Sequence, residues 1–269
     1  KKVAKKYGKK DLQYKLRATA ASGVAYKKAD KKKNRRKSIK LFEETLKLWK
    51  RVNKLDEEGK PKEKVEESTK AYAALCALEL AEYTYDDYAK LQIKAITKKG
   101  KFSVRLLKKT LLGKAEALAE AEKAFDVVLE FQHPGMAAAA AFREGQLLYE
   151  FAESLFEAEA PPELDEDQVD EYRYQLEEVA APIQEKALAA FTLALKQALD
   201  KNVYNKWSRL SAEFAAKVNP DEFPISNFRV RPDKTKDTLS SQSFIKVLRR
   251  GDTVVDFTNA LEILVAPDQ

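Results

Sequence analysis

Apolar side chains recur at helical spacing along most of this chain. From Ile39 to Val52, large apolar residues return every three or four positions, which places them on one face of a helix. Equivalent runs predict further helices at about 64–82, 103–131, 136–158, 167–200 and 203–218. The stretch from Tyr83 to Ile96 predicts a break or a short extended segment between two of these helices. The pattern therefore indicates an all-α fold.

Composition supports long helices. The 269 residues include only eight Gly and nine Pro, too few for the many turns of a sandwich or barrel. Hydrophobic residues make up 44% of the chain, and no apolar run approaches the ~20 residues that a membrane span needs. We expect three regions: a basic, weakly ordered segment 1–34, a helical repeat array 35–218, and an extended or partly β tail 219–269.

One short pattern recurs along the predicted helices. It consists of a small residue, a phenylalanine four positions later, and another small residue three positions after that. We call it the small–Phe–small pattern, and its copies are Ala121-Phe125-Val128, Ala187-Phe191-Ala194 and, in degraded form, Ser38-Phe42-Thr45. The two clear copies are separated by the number of residues from Phe125 to Phe191, and we call this separation the repeat interval.

A second frame of four positions recurs at the repeat interval. Its two copies are Ala141-Glu144-Gly145-Leu148 and Trp207-Leu210-Ser211-Phe214. Each copy starts at the same distance after the beginning of a small–Phe–small copy. Small residues at these positions let two helices approach closely, and aromatic residues fill the space beside them. The combined spacing predicts one long helical hairpin for every repeat interval.

These frames resemble the tetratricopeptide repeat, whose signature is W-x2-L-G-x2-Y followed by A-x3-F-x2-A. The resemblance covers half-repeats rather than complete units of the standard length. It implies a solenoid of long antiparallel helical hairpins, in which stacking buries the apolar face of each hairpin. Two positions depart from the signature, because Ala141 replaces the large first residue and Ser211 replaces the glycine.

The resemblance also implies a groove that is lined by the first helix of each hairpin and receives a partner peptide. Transferred to this chain, the groove residues are Phe142, Gln146 and Tyr149 on one helix and Asn205, Ser208 and Ala212 on the next. The alternative is that the tail of this chain fills the groove.

Charge is distributed unevenly. Residues 1–70 carry a net charge of +15, and the remaining residues carry −8. The basic end is compatible with a solvated face, an acidic protein partner, nucleic acid or an anionic lipid surface. Aromatic residues that would stack on bases are scarce there, so nucleic acid is the less favoured partner. The acidic stretch from Glu153 to Glu178 is either a solvated face or a contact for a basic neighbour.

Few residues offer catalytic or metal chemistry. His133 is the only histidine and lies in a predicted turn, and Cys76 is the only cysteine, so no internal disulfide forms. A zinc site normally draws on several such ligands. The chain has no phosphate-binding loop, and Asp165 and Asp167 lie in a polar stretch that gives no indication of acid catalysis. We therefore expect no catalytic, cofactor or metal site.

The sequence thus predicts a non-catalytic scaffold that binds a protein or peptide partner. The long acidic insertion and the NPDEFP ending resemble a bacterial subset of tetratricopeptide proteins found in large cell-envelope assemblies, some of them tied to gliding motility. This resemblance implies a periplasmic or envelope location, with the cytoplasm as the alternative. The competing interpretation is a basic helical module that binds nucleic acid. Partner identity and oligomeric state stay open.

Overall fold

The computed structural model describes residues 11–29, 32–54 and 64–224, and all structural statements concern these ranges. They contain seven helices: α1 (Leu12–Lys28), α2 (Lys32–Val52), α3 (Glu67–Tyr88), α4 (Val104–Leu129), α5 (Pro134–Phe156), α6 (Glu166–Asp200) and α7 (Lys206–Val218). The only extended pairing in this part of the chain is an isolated antiparallel bridge between Ile96 and Phe102. The all-α fold class is therefore confirmed.

The chain divides into two compact units, which are described separately. The first unit comprises residues 1–83 and 124–137, and the second comprises residues 84–123 and 138–269. The cut falls within α3, α4 and α5, so each of these helices contributes to both units.

The segment 1–34, which the sequence predicts to be basic and weakly ordered, contains a helix. Residues 12–28 form α1. Its N-cap is Asp11, and the carboxylate of Asp11 accepts a hydrogen bond from the backbone N–H of Tyr14 at 3.0 Å. Leu16 and Ala20 are fully buried. Their burial explains why α1 forms in spite of its basic surroundings, because apolar packing outweighs the repulsion between solvated lysines. Residues 1–10 lie outside the described ranges.

Helix α3 corrects the break predicted after Tyr83, because it continues to Tyr88. The rings of Tyr83, Tyr85 and Tyr88 are all buried. Each phenol has a partner: Ser38 Oγ lies 2.7 Å from Tyr83 Oη, Tyr85 donates to Glu150 Oε1 at 2.6 Å, and Tyr88 donates to the Leu147 carbonyl at 2.8 Å. Tertiary contacts thus override the modest helix propensity of tyrosine.

In the first unit, α1 and α2 pack closely at one glycine. A Cβ atom added to Gly23 would lie 2.5 Å from Cε1 of Phe42, so only glycine permits this approach. Phe42 is fully buried in a cluster with Ala20, Cys76 and Tyr83. A neighbouring cluster of Leu16, Leu48 and Val52 continues the core. Trp49 is half-buried and packs on Phe131 with ring centroids 5.4 Å apart.

The second unit repeats this contact between α5 and α6. A Cβ atom added to Gly145 would lie 2.7 Å from Cε1 of Phe191. Around Phe191 lies an aromatic cluster that also contains Phe142, Trp207 and Phe214, with ring centroids 5.3–5.7 Å apart. This cluster attaches α7 to α5 and α6.

Helix α6 is the longest element, with 35 residues. It starts with a capping box, in which Asp165 Oδ1 accepts from the Gln168 N–H at 2.9 Å and Gln168 Oε1 accepts from the Asp165 N–H at 3.1 Å. The helix continues through Pro182 to Asp200. None of the helices in the described ranges is long and apolar enough to cross a bilayer.

Helix α7 ends at Val218, which is the end that the sequence predicts for the last helix. Residues 219–224 form a short turn in which the Phe223 N–H donates to the Asn219 carbonyl at 3.0 Å. The extended or partly β structure predicted for the tail falls mainly on residues 225–269, which lie outside the described ranges.

Candidate functional site

An open cleft of about 610 Å³ lies between the end of α6 and the beginning of α7. Its floor is apolar and includes Leu195, Leu199 and Ala212. Arg209 and Glu213 line it as well, and they pair with each other at 3.4 Å on the exposed side of α7. The cleft can therefore receive an apolar side chain or a helix face, with a charged pair beside it.

Three of the six predicted groove residues line this cleft: Asn205, Ser208 and Ala212. Asn205 is the N-cap of α7, and its Oδ1 accepts from the N–H groups of Trp207 and Ser208 at 2.8 and 3.2 Å. Ser208 Oγ in turn accepts from the Asn205 N–H at 3.1 Å. Their polar groups thus hold the start of α7, and Ala212 is buried at the cleft floor.

The other three predicted groove residues, on α5, lie elsewhere in the second unit. Phe142 is 1% exposed and belongs to the aromatic cluster, so its assignment to a groove surface is corrected. Tyr149 is half-buried, with its ring 5.5 Å from that of Phe214. Gln146 accepts from Arg143 at 2.6 Å and donates to Glu150 at 2.7 Å. The α5 residues therefore do not join those of α7 in one groove.

The residues of the two repeated frames are mostly internal. All nine side chains of the three small–Phe–small copies, on α2, α4 and α6, have no exposed surface. Ala141 and Gly145 are buried as well. The remaining frame residues that the sequence singled out are half-buried: Leu148, Trp207, Leu210 and Phe214. Ser211, at the position equivalent to Gly145, has no exposed surface.

The sequence did not predict a hydrogen-bonded network that lies in the second unit. Glu150 Oε1 accepts from both Tyr85 Oη and Gln146 Nε2. The guanidinium of Arg143 lies 4.1 Å above the ring of Tyr85 and 5.0 Å above that of Trp207. The network joins α3, α5 and α7 within the unit, and the one sequence signal for it is the spacing of Arg143, Gln146 and Glu150 along a single helical face.

Lys114 is a buried cation near this network. It is 6% exposed, and its Nζ donates to the Leu91 carbonyl at 3.0 Å and lies 5.1 Å from the ring centre of Tyr88. Burial lowers the pKa of Lys114, and the charges of Glu150 and Glu157 oppose that shift. Burial also raises the pKa of Tyr88 above its usual value. These groups fix the end of α3 rather than line an open site.

The two residues weighed for chemistry lie in structural positions. Burial raises the pKa of the Cys76 thiol to about 12, so the reactive thiolate is scarce at neutral pH. The carbonyl of His133 accepts from the N–H groups of Met136 and Ala137, at the start of α5. Within the described ranges, no three His, Cys, Asp or Glu residues come together as a metal-binding group.

Two helix faces are strongly charged. In the first unit, the described part of α2 exposes seven basic side chains, and the exposed Glu43 and Glu44 interrupt them between Lys40 and Lys47. The basic residues are Lys33, Arg36, Lys37, Lys40, Lys47, Lys50 and Arg51. In the second unit, the first half of α6 exposes six acidic side chains: Glu166, Asp167, Asp170, Glu171, Glu177 and Glu178. Lys37 also lies 5.3 Å from the ring centre of Tyr26. These faces are solvent-accessible surfaces on which a charged partner can dock.

Comparison of this chain with protein-family models, with curated proteins and with solved structures finds no match.

Proposed function

We propose that this chain is a non-catalytic scaffold, built from tetratricopeptide-like helical hairpins, that binds a protein partner. The supporting observation is the common burial of the small–Phe–small pattern on α2, α4 and α6. Two of the three copies face a glycine on the preceding helix, as Phe42 faces Gly23 and Phe191 faces Gly145. One recurring helix contact, used in two hairpins, is what a repeat scaffold requires.

The basic face of α2 is the proposed docking surface for the partner. Its cations lie on the outward side of the helix, and Phe42 on the opposite side is fully buried. The cations outnumber the exposed Glu43 and Glu44 on this helix, and such an excess of positive charge attracts an acidic surface and sets its orientation more than its affinity. The proposed partner is therefore an acidic protein segment. By resemblance alone, the proposed setting is a bacterial envelope assembly, with the cytoplasm as the alternative.

Nucleic acid is the second candidate partner, and the same basic face of α2 favours it. Two observations weigh against it. The aromatic residues of α2 are turned inward, since Phe42 is fully buried and Trp49 is half-buried, so the face offers little surface for base stacking. The acidic face of α6 repels phosphate and suits a protein environment.

The test compares two triple charge reversals in the full chain. The first, Lys33→Glu, Arg36→Glu and Lys40→Glu, lies on α2, and the control, Lys98→Glu, Lys99→Glu and Lys101→Glu, changes the same charge in an exposed loop. Cross-linking in cells of the source organism should capture partners with the native chain and with the control. The α2 reversal should lose them, and the purified partner should then bind the native chain at least tenfold more tightly than the α2 variant.

A fluorescent DNA or RNA oligonucleotide provides the opposing measurement. We expect little binding at ~50 mM salt. Binding that falls steeply between ~50 and ~200 mM salt, and that the α2 reversal weakens, would establish the nucleic-acid function instead. A partner retained by the α2 variant would remove the proposed docking surface. If a His133→Ala variant folds normally and still binds the partner but loses its biological activity, the non-catalytic assignment is wrong.

A further inference from the structure

Backbone hydrogen bonds order the loop that joins α3 to α4 in the second unit. Ile96 and Phe102 pair as the antiparallel bridge, and the Thr97 N–H donates to the Lys101 carbonyl at 2.9 Å. The chain reverses at Gly100, whose φ of 73° is readily adopted only by glycine. The loop is therefore a short hairpin with its tip at residues 98–100.

Two side chains attach this hairpin to its surroundings. The carboxylate of Glu159, beyond the end of α5, accepts from the N–H groups of Ala95 and Ile96 at 3.3 and 3.0 Å. On α4, the hydroxyl of Thr110 accepts from the Lys94 N–H at 3.0 Å. These contacts place the hairpin beside the first turns of α4.

The hairpin and the first turns of α4 are rich in cations. No Asp or Glu occurs in the sequence between Asp87 and Glu116. Seven basic side chains in this stretch are exposed, and in the part of the chain that the structure describes no ion pair involves them. We call them the loop–α4 surface: Lys94, Lys98, Lys99, Lys101, Arg105, Lys108 and Lys109. The carboxylate that the hydrogen bonds bring next to them, that of Glu159, is bound to backbone N–H groups.

Two exposed leucines accompany these cations. Leu91, at the start of the loop, is 38% exposed, and Leu112, on α4, is 45% exposed. Leu112 follows Arg105 and Lys108 at helical spacing, so the three side chains share the outward side of α4. Basic groups next to exposed leucines fit the boundary of a lipid bilayer, where cations meet the headgroups and apolar side chains reach the acyl chains.

Nucleic acid fits the loop–α4 surface less well. Phe102 is the one aromatic residue of the sequence between Tyr88 and Phe125, and it is half-buried, so little ring surface is offered to bases. Six of the seven cations are lysines, whereas the planar group that binds phosphate in a bidentate manner is present once, in Arg105. The exposed leucines have no counterpart on a phosphate backbone.

We propose that the loop–α4 surface docks on an anionic lipid bilayer, with its cations among the headgroup phosphates and Leu112 at the boundary of the acyl chains. The charge of such a bilayer is complementary to this surface, because anionic lipids attract each lysine or arginine that lies near them. The surface shares no residue with the basic face of α2, so this docking is independent of the proposed protein partner.

Flotation of the full chain with lipid vesicles tests the proposal. Vesicles with about 30% phosphatidylserine in phosphatidylcholine should bind the chain, and vesicles of phosphatidylcholine alone should not. The loop reversal, Lys98→Glu, Lys99→Glu and Lys101→Glu, should weaken binding to the anionic vesicles at least tenfold. The variant should fold normally, since the hydrogen bonds of the turn use backbone atoms of these residues.

The α2 reversal is the matched control, because it makes the same change in net charge on a face that exposed glutamates interrupt. It should bind anionic vesicles within about twofold of the native chain. Equal weakening by the two reversals would show that the vesicles respond only to net charge and would overturn the proposal. Absence of native-chain binding to the anionic vesicles would overturn it as well.

A fluorophore at position 112 distinguishes lipid from other anionic partners. Cys76 is the only cysteine and is buried, so Leu112→Cys provides one accessible position for labelling. A polarity-sensitive label there should brighten at least twofold on anionic vesicles, because it enters an apolar environment. The same label at Val127→Cys, another exposed position of α4, should not brighten.

Two results would assign the surface differently. If the label at position 112 stays unchanged while the chain floats with the vesicles, this surface does not contact the bilayer and the proposal is wrong. If the chain ignores the vesicles but binds a fluorescent DNA or RNA oligonucleotide, and the loop reversal removes that binding, the surface belongs to nucleic acid.

Discussion

The α1–α2 and α5–α6 contacts use the same phenylalanine-on-glycine geometry in different surroundings. Beside Phe42, the flanking small positions are Ser38 and Thr45, and Ser38 Oγ lies 2.7 Å from Tyr83 Oη. Beside Phe191, the equivalent positions are Ala187 and Ala194. The close approach of two helices is therefore set by one pair of residues, and the side chains around that pair are polar in the first unit and apolar in the second.

The two surroundings also differ in how they use aromatic rings. In the first unit, the Tyr83 ring lies beneath Lys27 and Arg35, whose cationic groups are 5.1 and 4.9 Å from its centre. In the second unit, Phe191 contacts the rings of Phe142 and Phe214. Each ring pair adds about 0.5–1.5 kcal/mol to the burial of Phe191 itself, whereas the cations lie on Tyr83, a neighbour of Phe42 in its cluster. We infer that the α5–α6 contact is the stronger of the two.

Truncation of the two phenylalanines has the largest expected effect. Phe191→Ala and Phe42→Ala should each lower the free energy of unfolding by about 3–5 kcal/mol, because each leaves a cavity in a closed core. Phe191→Ala should be the more damaging by about 1 kcal/mol, since it also removes ring contacts. Urea denaturation of both variants measures the difference. Equal losses, or a greater loss at Phe42, would contradict the inferred order.

Alanine at the two glycines should have the next largest effect. Gly23→Ala and Gly145→Ala each place a methyl group within 2.5–2.7 Å of a ring carbon. Overpacking costs about 1–3 kcal/mol, and the better helix propensity of alanine offsets about 1 kcal/mol of it. Thermal unfolding should therefore show a net loss at both sites. Gly113→Ala is the control and should not destabilise, since no atom lies within 4 Å of an added Cβ there.

Most of the helices could be predicted from the sequence. Periodicity placed the starts and ends of α4, α5 and α6 within about three residues of those observed, because each helix has a long apolar face. Tyr83 to Tyr88 was interpreted wrongly for a physical reason. The hydrogen-bond partners that hold these tyrosines in a helix, such as Ser38 and Glu150, are more than forty residues away in the chain.

The sequence assigned six residues to one groove, and the structure places them in two regions of the second unit. Asn205, Ser208 and Ala212 were assigned to a groove and do line the cleft. Phe142 was assigned to the same groove, but a resemblance that gives only sequence positions does not show how far a helix is rotated about its axis. The contact between Gly23 and Phe42 was not predicted, because Gly23 lies in the segment expected to be weakly ordered and its partner required the structure.

Alkaline pH distinguishes a group in the first unit from one in the second. Burial raises the pKa of Cys76 from 9.0 to about 12 in the first unit, and that of Tyr172 from 10.0 to about 12 in the second. The folded chain keeps these protons where the unfolded chain loses them, so the free energy of unfolding falls as pH rises. Each group contributes at most about 1.4 kcal/mol per pH unit.

Removal of each group tests this linkage. As the pH rises from 9 to 10, the unfolded chain loses the Cys76 proton before the Tyr172 proton. Cys76→Ala should therefore flatten the dependence of the free energy of unfolding on pH in that range. Tyr172→Phe should flatten it only above pH 10. Urea denaturation from pH 8 to 11 provides the measurement. A slope unchanged by Cys76→Ala between pH 9 and 10 would show that the thiol ionises equally in both states.

Removal of the hydrogen bond between Ser38 and Tyr83 should have the smallest effect on the free energy of unfolding among these changes. A double-mutant cycle with Ser38→Ala and Tyr83→Phe should give a coupling of about 1 kcal/mol, since both groups are buried and partnered.

Ala187→Ser introduces into the second unit the serine that the first unit has at position 38, at a site where Ala187 packs in an aromatic and aliphatic cluster. That change should destabilise by about 1 kcal/mol, because a buried hydroxyl loses its water. If Ala187→Ser instead stabilises the chain, the two surroundings are interchangeable, and the polar pairing at Ser38 is not specific to the first unit.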